Sequence, residues 1–135
     1  MSFDIFLQCF RNGEPATFKR ALVEEIFTRD AVDYRPPLTD VTYVDGGAGG
    51  IYGADEEEDI QNMMFNHCGG DTFFAALHEL AARTNSVVFW PRVGRSIAVT
   101  DAAVVNHLPS GFDDMGPAYI VSNGRELEAC IFESD

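Results

Sequence analysis

The sequence predicts an α+β fold: a single domain with a largely antiparallel mixed sheet and helices packed mainly on one face. Three observations carry this. Strand-like runs cluster in hairpin groups instead of alternating strictly with helices. Other segments repeat apolar residues at helical spacing. Gly, Pro and Asn punctuate the boundaries. The predicted order is βα-βββ-α-ββ-α-β-α, and no linker-like shift of composition divides residues 1–135.

Residues 3–10 alternate, with Phe3, Ile5, Leu7 and Cys9 on one face and Asp4, Phe6, Gln8 and Phe10 on the other, so the first strand is apolar on both sides. Asn12-Gly13 breaks it. Pro15 suits the first position of a helix, and Phe18, Leu22 and Ile26 continue an apolar stripe to about Arg29. A loop containing Pro36-Pro37 follows. Residues 39–45 read as a strand by their β-branched alternation. Asp45-Gly46-Gly47-Ala48-Gly49-Gly50 reads as a flexible hairpin tip returning through Ile51-Tyr52. Ile60 to His67 completes a meander.

Asp71 is the expected N-cap of a helix whose stripe is Phe73, Leu77, Leu80, Ala81 and Thr84, with Asn85 as its left-handed end. Residues 86–90, Ser-Val-Val-Phe-Trp, form a continuous apolar run and therefore the most buried strand. Residues 91–95 make a hairpin loop and 96–100 return. Asp101 caps a short helix with Val104, Val105 and Leu108 inward, and 109–117 is a loop. Residues 118–122 form the last strand. Asn123 and Glu126 have the spacing of a capping box opening a final helix, with Leu127, Cys130 and Ile131 on one face.

Composition narrows the function. Nine basic residues face 22 acidic ones, a net charge of −13, with no basic run to replace counterions on phosphates. Nucleic acid and anionic membrane surfaces are therefore disfavoured, and a basic protein partner is favoured by long-range attraction. No apolar stretch is long enough to span a membrane, and the opening residues lack the basic region of a secretory signal. Three widely spaced cysteines, Cys9, Cys68 and Cys130, argue for reduced thiols and a cytoplasmic setting.

Few residues carry a chemical pattern. The glycine run lacks the Gly-Lys-Ser/Thr and the helix that a phosphate cradle needs. The run Asp55-Glu56-Glu57-Glu58-Asp59 lacks the alternate spacing of a calcium loop, which leaves a solvated loop or a docking surface for a basic partner. His67, His78 and His107 match no metal-ligand spacing, so no metal or cofactor is expected. Trp90 and Arg92 are of the types enriched at binding hot spots, and become anchors if they sit at an exposed hairpin end.

The segments Phe3-Asp4-Ile5-Phe6 to Asn12-Gly13-Glu14-Pro15-Ala16, and Phe73 to Leu80 with Val87-Val88-Phe89-Trp90-Pro91, resemble small uncharacterised bacterial proteins of this length. In size, charge and element order the chain is also similar to acidic immunity proteins. That resemblance implies a bacterial origin and a role in neutralising a basic toxin. The leading expectation is a protein-binding or regulatory module whose contacts are Asp55, Glu56, Glu57, Glu58, Asp59, Trp90 and Arg92. The alternative is a small enzyme or small-molecule binder with a pocket near His67, Cys68 and Asp71, where Cys68 precedes a helix start. Monomer and homodimer are both compatible with the sequence.

Overall fold

The computed structural model describes residues 4–36, 38–54, 58–92 and 94–133. In chain order the strands are β1 (Ile5–Arg11), β2 (Glu14–Pro15), β3 (Phe18–Lys19), β4 (Ala31–Arg35), β5 (Asp40–Tyr43), β6 (Ala48–Tyr52), β7 (Asp59–Ile60), β8 (Asn62–Gly69), β9 (Ser86–Phe89), β10 (Ile97–Val99) and β11 (Tyr119–Ile120). The helices are α1 (Arg20–Thr28), α2 (Asp71–Thr84) and α3 (Gly124–Glu133), with 3₁₀ helices at Ala102–His107 and Ser110–Met115.

Nine described strands form one sheet in the order β11-β10-β9-β1-β8-β6-β5-β4, with β2 folded back on β1. Only β10 and β11 run parallel; every other pairing is antiparallel. β3 and β7 pair separately. The α+β class and the antiparallel sheet follow the sequence pattern closely.

The apolar character of both faces of β1 has a direct cause. Ile5, Leu7 and Cys9 belong to the core beneath the helices. Phe10 belongs to a second cluster with Val87, Ile97, Val99 and Val104, into which Phe112 and Leu108 of the 3₁₀ region also pack. β1 is thus a central strand covered on both sides.

On the helix side, α2 packs between α1 and α3. A chain of rings ties these layers together. Phe27 of α1 lies 5.7 Å from Phe65 of β8 and 5.6 Å from Phe73 of α2. Phe73 lies 5.4 Å from Phe74, which lies 5.9 Å from Phe132 of α3. These spacings and tilts are those favoured by aromatic quadrupoles. The Tyr43 hydroxyl donates to the Phe27 carbonyl at 2.6 Å, closing the C-terminal end of α1 onto β5.

Several elements depart from the sequence expectation. The segment from Pro15 is not helical at first: Pro15 pairs with Phe10 and Phe18 with Ile60, so α1 starts only at Arg20. The left-handed Asn12 and Gly13, at φ 53° and 82°, turn the chain back sharply enough for this pairing. The expected loop after Arg29 contains β4, an edge strand that is almost wholly exposed and so shows no apolar alternation. The helix after Asp101 and part of the 109–117 loop are 3₁₀ helices. Asn85 does adopt the left-handed end of α2, at φ 52°. Glu126 N–H donates to Asn123 Oδ1 at 2.9 Å, as in a capping box, while the Glu126 carboxylate reaches Ser122 N–H at 2.7 Å.

The glycine run is not a loose tip. A Cβ at Gly49 would overlap the ring of Phe73, and one at Gly70 would overlap the backbone of Gly47. The hairpin between β5 and β6 is pressed onto α2, and only hydrogen in place of a side chain permits the approach. We expect Gly49→Ala to destabilise the fold by about 1–3 kcal/mol through overpacking against Phe73. Gly111→Ala, whose Cβ meets nothing within 4 Å, should stay within about 0.5 kcal/mol of wild type. Urea denaturation of the two variants checks this.

Candidate functional site

The helix start at α2 is built from two distant segments. Gly70, at φ 96°, occupies the N-cap position and has no side chain to offer. Asp71, expected there, is instead the first helical residue, exposed, with its carboxylate 3.5 Å from Arg125. The cap comes from Asp45. Its Oδ1 accepts from Gly47 N–H at 2.8 Å, and its Oδ2 from Thr72 N–H at 3.0 Å and Thr72 Oγ1 at 2.8 Å. These donors hold the Asp45 carboxyl below its usual range, the Gly47 N–H contributing most. A carboxylate also complements the positive end of the helix. A phosphate would occupy this same place; the protein fills it with its own anion.

His67 and Cys68 lie at the end of β8 and Asp71 opens α2. His67 is exposed in β8 at φ 52°, beside the irregular pairing of β6 with β8. The Cys68 thiol is half-buried and pushed up to about 12, first by burial and then by the charge of Asp4. Burial likewise pushes Cys130 up to about 12 and raises Cys9. A thiolate, the reactive form, is therefore scarce at all three positions near neutral pH. His78 Nε2 meets the Val121 carbonyl at 3.1 Å and joins α2 to the segment before α3. His107 Nδ1 accepts from Asn12 N–H at 3.0 Å, and its carbonyl from Gly13 N–H at 2.9 Å, fastening the 3₁₀ region to the β1–β2 turn. Among the described residues no three of His, Cys, Asp and Glu converge as metal ligands.

The contact residues expected for a partner differ in their surroundings. Asp55, Glu56 and Glu57 lie outside the described residues. Glu58 and Asp59 are exposed, and they are anchored: the Glu58 carbonyl accepts from Arg20 N–H at 2.9 Å, and Asp59 pairs with Lys19 at 2.7 Å. Trp90 is 1% exposed and offers no surface to a partner. Its ring stacks on Tyr119 at 6.3 Å, and the Arg95 guanidinium covers the other partner of that stack, 4.0 Å from the Tyr119 centroid. The indole N–H of Trp90 meets no acceptor among the described residues. Arg92 is half-buried. No local pattern signals the Arg95–Tyr119–Trp90 stack, since its members come from separate segments.

Charge on the surface is more telling. Among the described residues, Lys19, Arg20, Arg29, Arg35, Arg83 and Arg125 each lie within ion-pair distance of a carboxylate. Arg29 and Arg83 share Glu25 and Glu79 in one network bridging α1 and α2, with N–O distances of 2.9–3.3 Å. The Arg29 guanidinium holds Glu79 below the usual carboxylate range. None of the carboxylates whose burial is described is buried. No described helix is long and apolar enough to cross a membrane. Comparison with family models, curated proteins and solved structures finds no match to this chain.

Two outcomes check this geometry. Asp45→Ala should lower the urea midpoint at neutral pH. Because the folded pKa is depressed, the Asp45 contribution is present above the unfolded value of about 3.9 and is lost as pH falls through the lower folded value. The gap between wild type and variant should therefore close in acid. Separately, iodoacetamide at pH 7 should label native Cys68 more slowly than unfolded protein, because burial raises its pKa and depletes the reactive thiolate. Mass spectrometry of the alkylated protein reads the result.

Proposed function

We propose that the protein is a binding module for a basic protein partner, with the exposed acidic surface around Glu58 and Asp59 as its docking region. The observation that carries this reading is the local use of positive charge. Six basic side chains are already matched to carboxylates, and the surplus of acids stands at the surface. Such an excess speeds encounter with a cationic surface and falls off with salt. The protonated thiols and the structural bonds of His78 and His107 favour binding over catalysis.

Within this reading, the partner class that best suits an acidic module of 135 residues is a basic toxin or effector that it neutralises, as the likeness to immunity proteins suggests. Three free cysteines support action in a reducing cytoplasm. Trp90 contributes by shaping the core below Tyr119 and Arg95, not as a direct anchor. The acidic run is the direct contact.

Affinity capture from source cells at low salt, followed by partner identification and stopped-flow association, tests the proposal. Wild type should retain a basic protein. Neutralising Asp55, Glu56, Glu57 and Glu58 to their amides should slow association and flatten its salt dependence. Retention of no basic protein, or an association rate indifferent to the amides, would contradict the reading.

A further inference from the structure

β4 forms one end of the large sheet, and no described strand covers its outer edge. Val32 and Tyr34 on this edge are exposed, at 61% and 47%, as is Val44 just after β5, at 87%. An open edge of this kind is a template for another strand.

The backbone directions along β4 follow from those of β5. Tyr43 N–H donates to the Gly47 carbonyl, and the Thr39 carbonyl accepts from Ile51 N–H, so residues 39, 41 and 43 turn their polar groups toward β6. By antiparallel alternation Asp40 and Thr42 turn theirs toward β4. Their partners are Arg35 and Asp33, and Tyr34 lies opposite Val41. The Tyr34 N–H and C=O therefore point outward, away from the sheet.

The side chains follow the same alternation. Val41 and Tyr43 are buried beneath the helices, so Tyr34 lies on the helix side. There it lines a cleft of about 230 Å³ with Glu24 and Thr28 of α1, Pro36 and Leu38. Asp33 and Arg35 share the opposite face, where Arg35 Nε lies 3.5 Å from Asp40.

We propose that β4 is a self-association edge, and that a second copy of this chain adds its own β4 antiparallel about a two-fold axis at Tyr34. The outward polar groups of the two Tyr34 residues then exchange both hydrogen bonds. The same register sets Asp33 of one copy opposite Arg35 of the other, twice. Each Arg35 is left between its own Asp40 and the partner's Asp33, a row of acid, base and acid across the joined sheet. Opposite charges facing each other across strands stabilise the pairing. An axis through Asp33 would instead oppose two carboxylates. The charge pattern thus selects both the partner and the register.

The irregularity between Ala31 and Asp33 and the missing N–H of Pro36 confine the new ladder to residues 33–35. The contact is correspondingly weak and concentration-dependent. A two-fold pairing uses up the edge, so it closes at a dimer and does not grow.

Sedimentation velocity over a wide concentration range, in salt that screens the net charge of −13, tests the proposal. Wild type should pass from monomer to dimer as concentration rises. Asp33→Arg sets arginines against arginines, and Arg35→Asp sets aspartates against aspartates; each alone should remain monomeric. An equimolar mixture of the two should form a heterodimer, because every opposed pair is then of opposite sign. Both substitutions are at exposed positions, and circular dichroism verifies that each variant is folded. A wild type that stays monomeric throughout, single variants that still dimerise, or a mixture that does not associate would each overturn the proposal.

Discussion

One carboxylate joins the hairpin of β5 and β6 to the start of α2, and the arrangement of the helical layer depends on it. The first N–H groups of a helix have no partners inside the helix. At α2 the residue in the capping position is a glycine, so the missing acceptor arrives from Asp45, 27 positions before Thr72. The glycines around Asp45 allow this delivery. Gly47 lies against Gly70, and Gly49 lies against the ring of Phe73. Phe73 in turn touches Phe27, Phe65 and Phe74, through which α1, β8 and α3 are held. The hairpin that carries this carboxylate thus lies directly against the main aromatic cluster.

This economy bears on function. Several of the polar groups considered for chemistry have structural partners. Asp45 fills the anion position at the helix start. His78 and His107 hold separate pieces of backbone. The thiols are held in their protonated form by burial. The two proposed contacts lie on the outside: surface carboxylates around Glu58 and Asp59, and the β4 edge. These two surfaces answer to different forces. Attraction to an acidic surface would act at a distance and weaken with salt, whereas strand pairing at β4 would act through backbone register.

Much of the fold was legible because its signals are local. The run Val87 to Phe89 is apolar since β9 is covered on both faces, by α2 on one side and the 3₁₀ region on the other. The stripe of α2 and the left-handed Asn85 were equally direct. β4 was missed because an exposed edge strand needs no apolar alternation, and Ala-Val-Asp-Tyr-Arg shows none that burial would select. The start of α1 was misplaced because the pairing of Phe18 with Ile60 is a contact across 42 positions, invisible to a short window. Asp71 has the residue type and place of a cap, and sequence alone favours it. The true acceptor could be found only by knowing that the hairpin folds over the helix. Trp90 illustrates the same limit: its residue type suits a binding anchor, and its surroundings place it in the core.

The joint dependence of the hairpin and α2 on Asp45 is the central claim, and amide hydrogen exchange at Gly47 and Thr72 tests it most directly. Both N–H groups donate to the same carboxylate. In Asp45→Ala at neutral pH, the account predicts that both amides lose protection together, while amides within β1 keep theirs. Unchanged protection at Thr72, with loss at Gly47 alone, would contradict it.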